Sequence, residues 1–263
     1  MPAQMNVKKT LAGSSLLTLF VLIIWKLLYT SSAYSGWALT PLLVASVFGS
    51  YRSVVQSRQA FLDAALTHDT WLRKWLTGRT YAAFTAVAFG VTATLFIGYK
   101  ALVASIPEFL VLALFFIGSV VVYCKQINTL SAHVNARYLP TISTSMTLVL
   151  AGSISALVYG IFVANEPIVG LARNAGFTDI WEFKVLSLPQ GSGSIAGIME
   201  LFVTLDAIEL YAIVHGSTLT KLAVLIYLIN SLTVAYVMVR FAASISESLR
   251  VVFNARSVEI EQQ

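Results

Sequence analysis

Long stretches without a charged residue are the feature that most limits how this chain can fold. No charge occurs between Lys26 and Arg52, or between Arg137 and Glu166. Only 11% of the residues are charged, whereas an ordinary soluble domain contains roughly 25%. A water-soluble fold has too little interior to bury so much apolar surface, and a mean hydropathy of +0.79 is typical of chains whose exterior faces lipid. The sequence therefore predicts a membrane protein.

The apolar runs predict an all-α fold, a polytopic transmembrane helix bundle formed by the whole chain as one integral membrane domain. A helix needs about 20 mostly apolar residues to cross a bilayer, because lipid offers no partner to an unpaired backbone group. One further apolar stretch, 195–215, is ambiguous because it contains three acidic residues. The length rule predicts six spans at about 11–29, 33–51, 80–99, 108–124, 141–164 and 222–239.

The first span also has features of a signal peptide. Lys8 and Lys9 precede it, and the small residues Ser31-Ser32-Ala33 follow it. Lys26 interrupts the apolar run, however, and a second apolar run follows directly. We therefore expect a retained helix, with Lys26 directed towards an interface or towards the other helices.

Basic residues predict the orientation of the bundle, since Lys and Arg accumulate on the cytoplasmic side. With six spans, twelve basic residues fall on the cytoplasmic side and four on the other. If 195–215 also crosses, the tally is ten against six. The tally favours six spans with both termini cytoplasmic and with 195–215 as an interfacial or re-entrant helix, and a seventh span is the alternative. The sequence contains no Asn-x-Ser/Thr site, which fits a protein of the bacterial cytoplasmic (inner) membrane.

Three segments outside the predicted spans have patterns of their own. Residues 52–79 repeat apolar positions near the helical period with charges between them, which predicts an amphipathic cytoplasmic segment. Residues 240–263 repeat this pattern in a cytoplasmic tail. Two such segments either dock on each other or form a surface for another protein. The extracytoplasmic loop 165–194 carries aromatic residues near its middle, which predicts a packed cap or a partner-binding loop.

Small residues recur at every fourth position in two of the spans. Such stripes let helix backbones approach closely in lipid, where packing replaces the hydrophobic effect. We expect the stripes to pack helices of the same chain together, and self-association through one of them is the alternative. The positions are Ala82, Ala86, Gly90 and Gly98 in the third span, and Gly152, Ala156 and Gly160 in the fifth.

The acidic residues Glu200, Asp206 and Glu209 are the strongest local signal for a function. Ionisable groups among apolar residues are costly in a membrane, so they indicate a functional site by default. On one helix the three acids share about half of the circumference. They form either an ion or proton site beside Asn230 of the last span, or the wet face of an interfacial helix. Lys26 is the candidate counter-ion.

Several kinds of chemistry are not expected from this sequence. A single cysteine, Cys124, excludes a disulfide framework and a thiolate metal site. The histidines, His68, His133 and His215, lack the spacing of metal ligands or of a catalytic base. The segment 191–197 lacks the lysine of a phosphate-binding loop. Its glycine and serine residues predict a flexible linker. We therefore predict no catalytic residue, no metal site and no cofactor.

Two functions remain open on the sequence alone. The first is a non-enzymatic subunit or scaffold of a membrane complex, with the lipid bilayer and other membrane subunits, or a second copy, as partners. The second is a small channel or transporter that binds a cation or a proton at its acidic helix. The two differ in whether the acids face bulk water or a cavity. The five excess positive charges flank apolar segments and indicate topology, so no nucleic-acid partner is expected.

Overall fold

The computed structural model describes residues 7–65, 78–135, 138–164, 175–191, 193–215 and 220–261. This part of the chain contains helices and no strand, which confirms the all-α prediction. A short 3-10 helix, Ser35–Leu39, precedes α2, and a π-helical turn, Leu148–Gly152, joins α5 to α6. The α-helices are α1 (Val7–Leu28), α2 (Thr40–Ala65), α3 (Arg79–Val103), α4 (Ile106–Leu130), α5 (Leu139–Thr147), α6 (Ser153–Ala164), α7 (Phe177–Ser187), α8 (Ser194–Val214) and α9 (Thr220–Glu261).

Six helical stretches are long and apolar enough to cross a membrane, as the sequence predicts, and they support a multi-pass membrane protein. Their outward surfaces carry large apolar side chains such as Leu16, Leu114 and Leu157. A helix bundle with this exterior is stable only where acyl chains cover it. The stretches are Lys8–Leu28, Ser35–Gln59, Arg79–Val103, Ile106–Leu130, Leu139–Tyr159 and Leu228–Phe253.

The six stretches alternate in direction between two ends of the bundle. At the basal end, Phe253 of α9 lies beside Gly13 of α1, so the chain enters and leaves on the same side. At the distal end, α1 and α3 finish together, because the Trp25 indole donates a 3.0 Å hydrogen bond to the carbonyl of Gly98. Because six stretches alternate in direction, the beginning of α1 and the end of the last stretch lie on the same side of the bundle.

The small-residue stripe of α3 packs against α2. Ala82, Ala86 and Gly90 are buried, and a methyl group built on Gly90 would meet Val47 of α2 at 2.4 Å. The stripe therefore forms an intramolecular helix contact. In the fifth span, Gly152 is buried near Val239 of α9. Ala156 is half-buried, and the surroundings of Gly160 lie outside the described part of the structure.

Helix α2 is longer than the second span predicted from the sequence. It continues without a break to Ala65, so the first half of the predicted amphipathic segment 52–79 belongs to α2. Within this helix, Arg52 pairs with Glu247 of α9 (Nε to Oε1, 3.5 Å). Residues 66–77 lie outside the described part of the chain.

Helix α9 differs most from the sequence prediction. Its 42 residues span about 63 Å at 1.5 Å per residue. The apolar stretch is Leu228–Phe253, whereas the sequence predicts a span at 222–239 and a cytoplasmic tail at 240–263. Residues 241–248 are all buried in the bundle. The predicted tail therefore begins inside the bundle. Its polar residues produce the pattern of a surface helix, but Ser244 and Glu247 have hydrogen-bond partners on other helices.

Helices α7 and α8 form a cap outside the six stretches. The predicted loop 165–194 contains α7, and residues 165–174 lie outside the described part. Ile180 of α7 packs with Ala207 and Leu210 of α8 in a small apolar core. The indole of Trp181 donates a 3.0 Å hydrogen bond to the hydroxyl of Thr204. The central residues of the predicted loop therefore form a packed helix.

Candidate functional site

The cap is held on the distal end of the bundle by a tight glycine turn. Gly191 lies so close to Tyr29 that an added methyl group would meet its ring at 2.4 Å. Gly193 has a φ of 81°, a conformation that glycine adopts without steric cost. Just after the turn, Ile195 contacts Gly36. The segment 191–197, which the sequence suggests is a flexible linker, therefore makes close contacts that position α8.

Asp206 of α8 is bound to the end of α3. Its carboxylate accepts hydrogen bonds from Lys100 Nζ at 2.9 and 3.2 Å and from the Tyr99 hydroxyl at 2.7 Å. Phe202, one turn earlier, stacks on Tyr99 with ring centroids 5.5 Å apart. Lys100 is buried, and a buried ammonium group is tolerated when it is paired and hydrogen-bonded. Asp206 is therefore one half of a structural ion pair that fastens the cap.

Glu209 lies one turn further along α8 and contacts α9. One carboxylate oxygen, Oε2, accepts a hydrogen bond from the Asn230 side chain. The other, Oε1, is buried and has no hydrogen-bond partner within the described part of the chain. Burial raises the pKa of Glu209, and the hydrogen bond from Asn230 opposes the shift only in part. This arrangement favours the protonated carboxyl more than water does.

The structure separates the three predicted site acids into different environments. Glu200 is exposed, whereas Asp206 and Glu209 are half-buried. Asp206 pairs with Lys100 of α3, and Glu209 contacts Asn230 of α9. The acids are thus neither all in bulk water nor gathered around one cavity, which are the two arrangements that the sequence leaves open.

The predicted counter-ion, Lys26, is not the residue that binds the acids. Its ammonium group donates hydrogen bonds of 3.2 and 2.6 Å to the carbonyls of Ala101 and Ala104. It therefore satisfies orphan carbonyls at the carboxyl end of α3, where a cation is favourable. Lys100 is the actual counter-ion. Its position at the end of the uncharged run 80–99 is the sequence signal that marks it as a candidate, but the sequence does not show its partner.

A second polar cluster lies in the basal half of the bundle around Glu247 of α9. The Glu247 side chain is 2% exposed. Its Oε1 contacts Arg250 Nη2 at 2.6 Å and Arg52 Nε at 3.5 Å, and its Oε2 accepts a 3.1 Å hydrogen bond from the Tyr123 hydroxyl. The cluster therefore ties α2, α4 and α9 together. The sequence signal that could have identified it is the serine-rich run 244–248 within an apolar helix.

The two clusters are separated by a packed apolar interior. Asn230 and Glu247 are about 25 Å apart along α9 at 1.5 Å per residue. The bundle between the two levels is filled by apolar side chains, among them Leu22, Ile97, Phe116 and Phe241. The two clusters therefore fasten opposite ends of the bundle.

The histidines and the cysteine that the structure describes lie in separate places. In the ranges that the structure describes, no group of three His, Cys, Asp or Glu side chains could hold a metal ion. His133 is exposed, and His215 stacks on Tyr211 at the end of α8. Cys124 is a buried free thiol. His68 lies outside the described residues.

The comparisons with known proteins add no functional assignment. The chain matches no protein-family model, no curated protein and no solved structure.

Proposed function

We propose that this protein is a non-enzymatic multi-pass membrane protein that serves as a subunit or scaffold of a membrane complex. The observation that carries the proposal is an exposed apolar row on the cap. Leu201, Leu205 and Ile208 lie on the outer side of α8, and Leu201 and Leu205 are 66% and 61% exposed. Leu186 of α7, at 84% exposed, adds to the same cap. Such a surface marks a contact with another protein or with lipid.

The opposite side of α8 explains why this row is available for a partner. Met199, Val203 and Ala207 are buried against the bundle and α7. The helix is therefore apolar on both sides, and the fold covers only one of them. The Lys100–Asp206 ion pair holds the inner side in place, so the outer row is presented on a rigid element. A pre-organised surface binds a partner with a smaller entropic cost.

The positions of the basic residues suggest how the protein is oriented in the membrane. Basic residues at the basal end, such as Lys8, Arg58, Arg79 and Lys125, support a cytoplasmic location for both termini. The cap then lies on the extracytoplasmic side of the bacterial cytoplasmic membrane, with α8 at the membrane surface. The partner is another membrane-protein subunit or a second copy of this chain.

Photo-crosslinking in native membranes tests this proposal. A photoreactive amino acid at Leu205 is expected to give one discrete protein adduct, because the outer row of the cap contacts the partner. The matched controls are Leu114 and Leu157, which are each 67% exposed on α4 and α6 and are expected to label lipid. Lipid labelling alone at Leu205 would remove the support for a partner and favour a lipid-facing α8.

A channel or transporter is the second candidate, and Glu209 is the observation that favours it. The Glu209 carboxyl group, whose buried Oε1 has no hydrogen-bond partner among the described residues, is able to accept and release a proton. In vesicles with a pH-sensitive dye, the subunit proposal predicts that the reconstituted protein conducts protons no faster than protein-free vesicles. Proton flux that Glu209→Gln abolishes, and that the exposed control Glu200→Gln preserves, would replace the subunit proposal by transport.

A further inference from the structure

A cavity of about 470 Å³ lies in the basal half of the bundle, away from the cap. Helices α2, α3, α5 and α9 and the π-helical turn contribute its walls. Its surface is rich in hydroxyl groups and contains two arginines, Arg58 of α2 and Arg240 of α9. A cavity in a membrane protein is expected to be apolar unless it binds something polar. This composition therefore points to a ligand.

Aromatic rings hold the two guanidinium groups at the cavity. The guanidinium of Arg58 lies 3.8 Å from the centroid of the Tyr81 ring. That of Arg240 lies 4.9 Å from the Phe89 ring and donates a hydrogen bond to the Tyr236 hydroxyl. A guanidinium stacked on a ring keeps its charge and leaves N–H groups at its edge free to bind an oxyanion.

The charge of these arginines is not balanced within the described part of the chain. Neither Arg58 nor Arg240 forms an ion pair there, and the cavity wall contains no carboxylate. The nearby Glu247 pairs with Arg52 and Arg250 instead. Among the residues that the structure describes, positive charge is therefore in excess around this cavity, and such a charge attracts an anion.

The depth of Arg240 makes a bound anion more favourable than simple solvation. Arg240 lies near the middle of the stretch Leu228–Phe253, where an unpaired charge is costly. Arg58 lies close to the basal end of the stretch Ser35–Gln59. A negatively charged group that enters from the basal end meets Arg58 first and Arg240 deeper in the cavity, and it offsets the cost of both charges.

Hydroxyl groups supply the remaining donors. The Oγ1 atom of Thr141 is buried and has no hydrogen-bond partner in the ranges that the structure describes. Ser53, Ser57 and Ser145 also line the cavity. A phosphate group has several acceptor oxygens and a negative charge, so it matches this set of guanidinium and hydroxyl donors. We propose that the cavity binds a phosphate group through Arg58 and Arg240, carried either by an anionic phospholipid or by a soluble phosphate.

Ligand-dependent stability of the full chain in detergent tests this site and its source. The probes are phosphatidylglycerol, phosphatidylcholine as the neutral lipid, and inorganic phosphate against sodium chloride of equal ionic strength. Thermal stabilisation by phosphatidylglycerol alone identifies a lipid headgroup, and stabilisation by inorganic phosphate identifies a soluble anion. Equal effects of phosphatidylglycerol and phosphatidylcholine, together with no effect of phosphate, would overturn the proposal.

Arginine variants test whether the cavity is the binding site. Native mass spectrometry should show at least about tenfold weaker binding of the effective probe to Arg58→Gln, because hydrogen bonds to a charged group are lost. The double variant Arg58→Gln/Arg240→Gln should bind more weakly still. The matched control is Arg79→Gln/Lys125→Gln, which removes two exposed charges from the same end. Equal binding by Arg58→Gln and wild type contradicts the assignment, even if the double variant fails to fold.

Discussion

Replacing Gly49 by alanine is expected to destabilise the bundle by about 3 kcal/mol or more, the upper range for overpacking. A methyl group built on Gly49 would lie 1.8 Å from the backbone oxygen of Ser244 and 2.6 Å from its carbonyl carbon. Backbone atoms of α9 cannot rotate away as a side chain can, so the two helices would have to separate. The thermal midpoint of the purified protein in detergent measures this effect.

Two other glycines provide a graded comparison for Gly49→Ala. At Gly90, the added methyl group would meet Cγ2 of Val47 at 2.4 Å, whereas the nearest backbone atom, Val47 N, lies at 3.2 Å. A side chain rather than a backbone therefore has to shift, and a smaller loss of about 1 kcal/mol is expected. At Gly118, no atom lies within 4 Å of the added group. There alanine should be neutral or slightly stabilising, because it favours helix more than glycine does. A Gly49→Ala protein as stable as Gly118→Ala would contradict the close contact of α2 with α9.

Replacing Glu247 by glutamine is expected to cost about 3–5 kcal/mol, the range for breaking a buried ion pair by removing one partner. The substitution keeps the shape of the side chain but leaves the charge of Arg250 without its counter-charge in the bundle. Arg52, whose side chain is 39% exposed, reaches water more easily and contributes less to the loss. The measurement is again the unfolding midpoint in detergent.

Glu200→Gln is the matched control for Glu247→Gln. It makes the same chemical change at an exposed position of α8, where a change within about 0.5 kcal/mol is expected. A second comparison is Tyr123→Phe, which removes only the hydrogen bond to Glu247 and should cost about 1 kcal/mol. Equal stability of Glu247→Gln and Glu200→Gln would contradict a structural role for the cluster around Glu247.

Some important contacts had a visible but ambiguous sequence signal. Ala45, Gly49 and Ser53 follow the same four-residue spacing as the stripe of the third span, so the pattern alone marks α2 as a packing helix. The pattern does not show which glycine meets a backbone. That depends on the register of α2 against α9, which brings Gly49 to Ser244 across nearly two hundred residues of chain.

Charged residues near the predicted ends of spans were the main source of error. Lys100 reads as the start of a loop and 240–263 as a tail, because an unpaired charge is rarely stable inside a membrane. Lys100 pairs with Asp206, and Glu247, which lies in the predicted tail, pairs with Arg52. Both partners are distant in the sequence. A rule that ends a span at a charge cannot know that the charge is paired, so it misplaces the end of α3 and most of the basal half of α9.

The long apolar runs by themselves determined that this chain forms helices and that six of them are able to cross a membrane, and the apolar stretch 195–215 indicated a further helix in spite of its three acidic residues. These properties depend on local length and hydrophobicity, because an isolated segment in lipid must satisfy its own backbone hydrogen bonds. Only the tertiary structure decided how the charges are used: Asp206 anchors the cap, Glu247 ties the basal half together, and Arg58 and Arg240 line one cavity. A charge gains its role from the partner beside it, and both Asp206 and Glu247 have a charged partner on another helix.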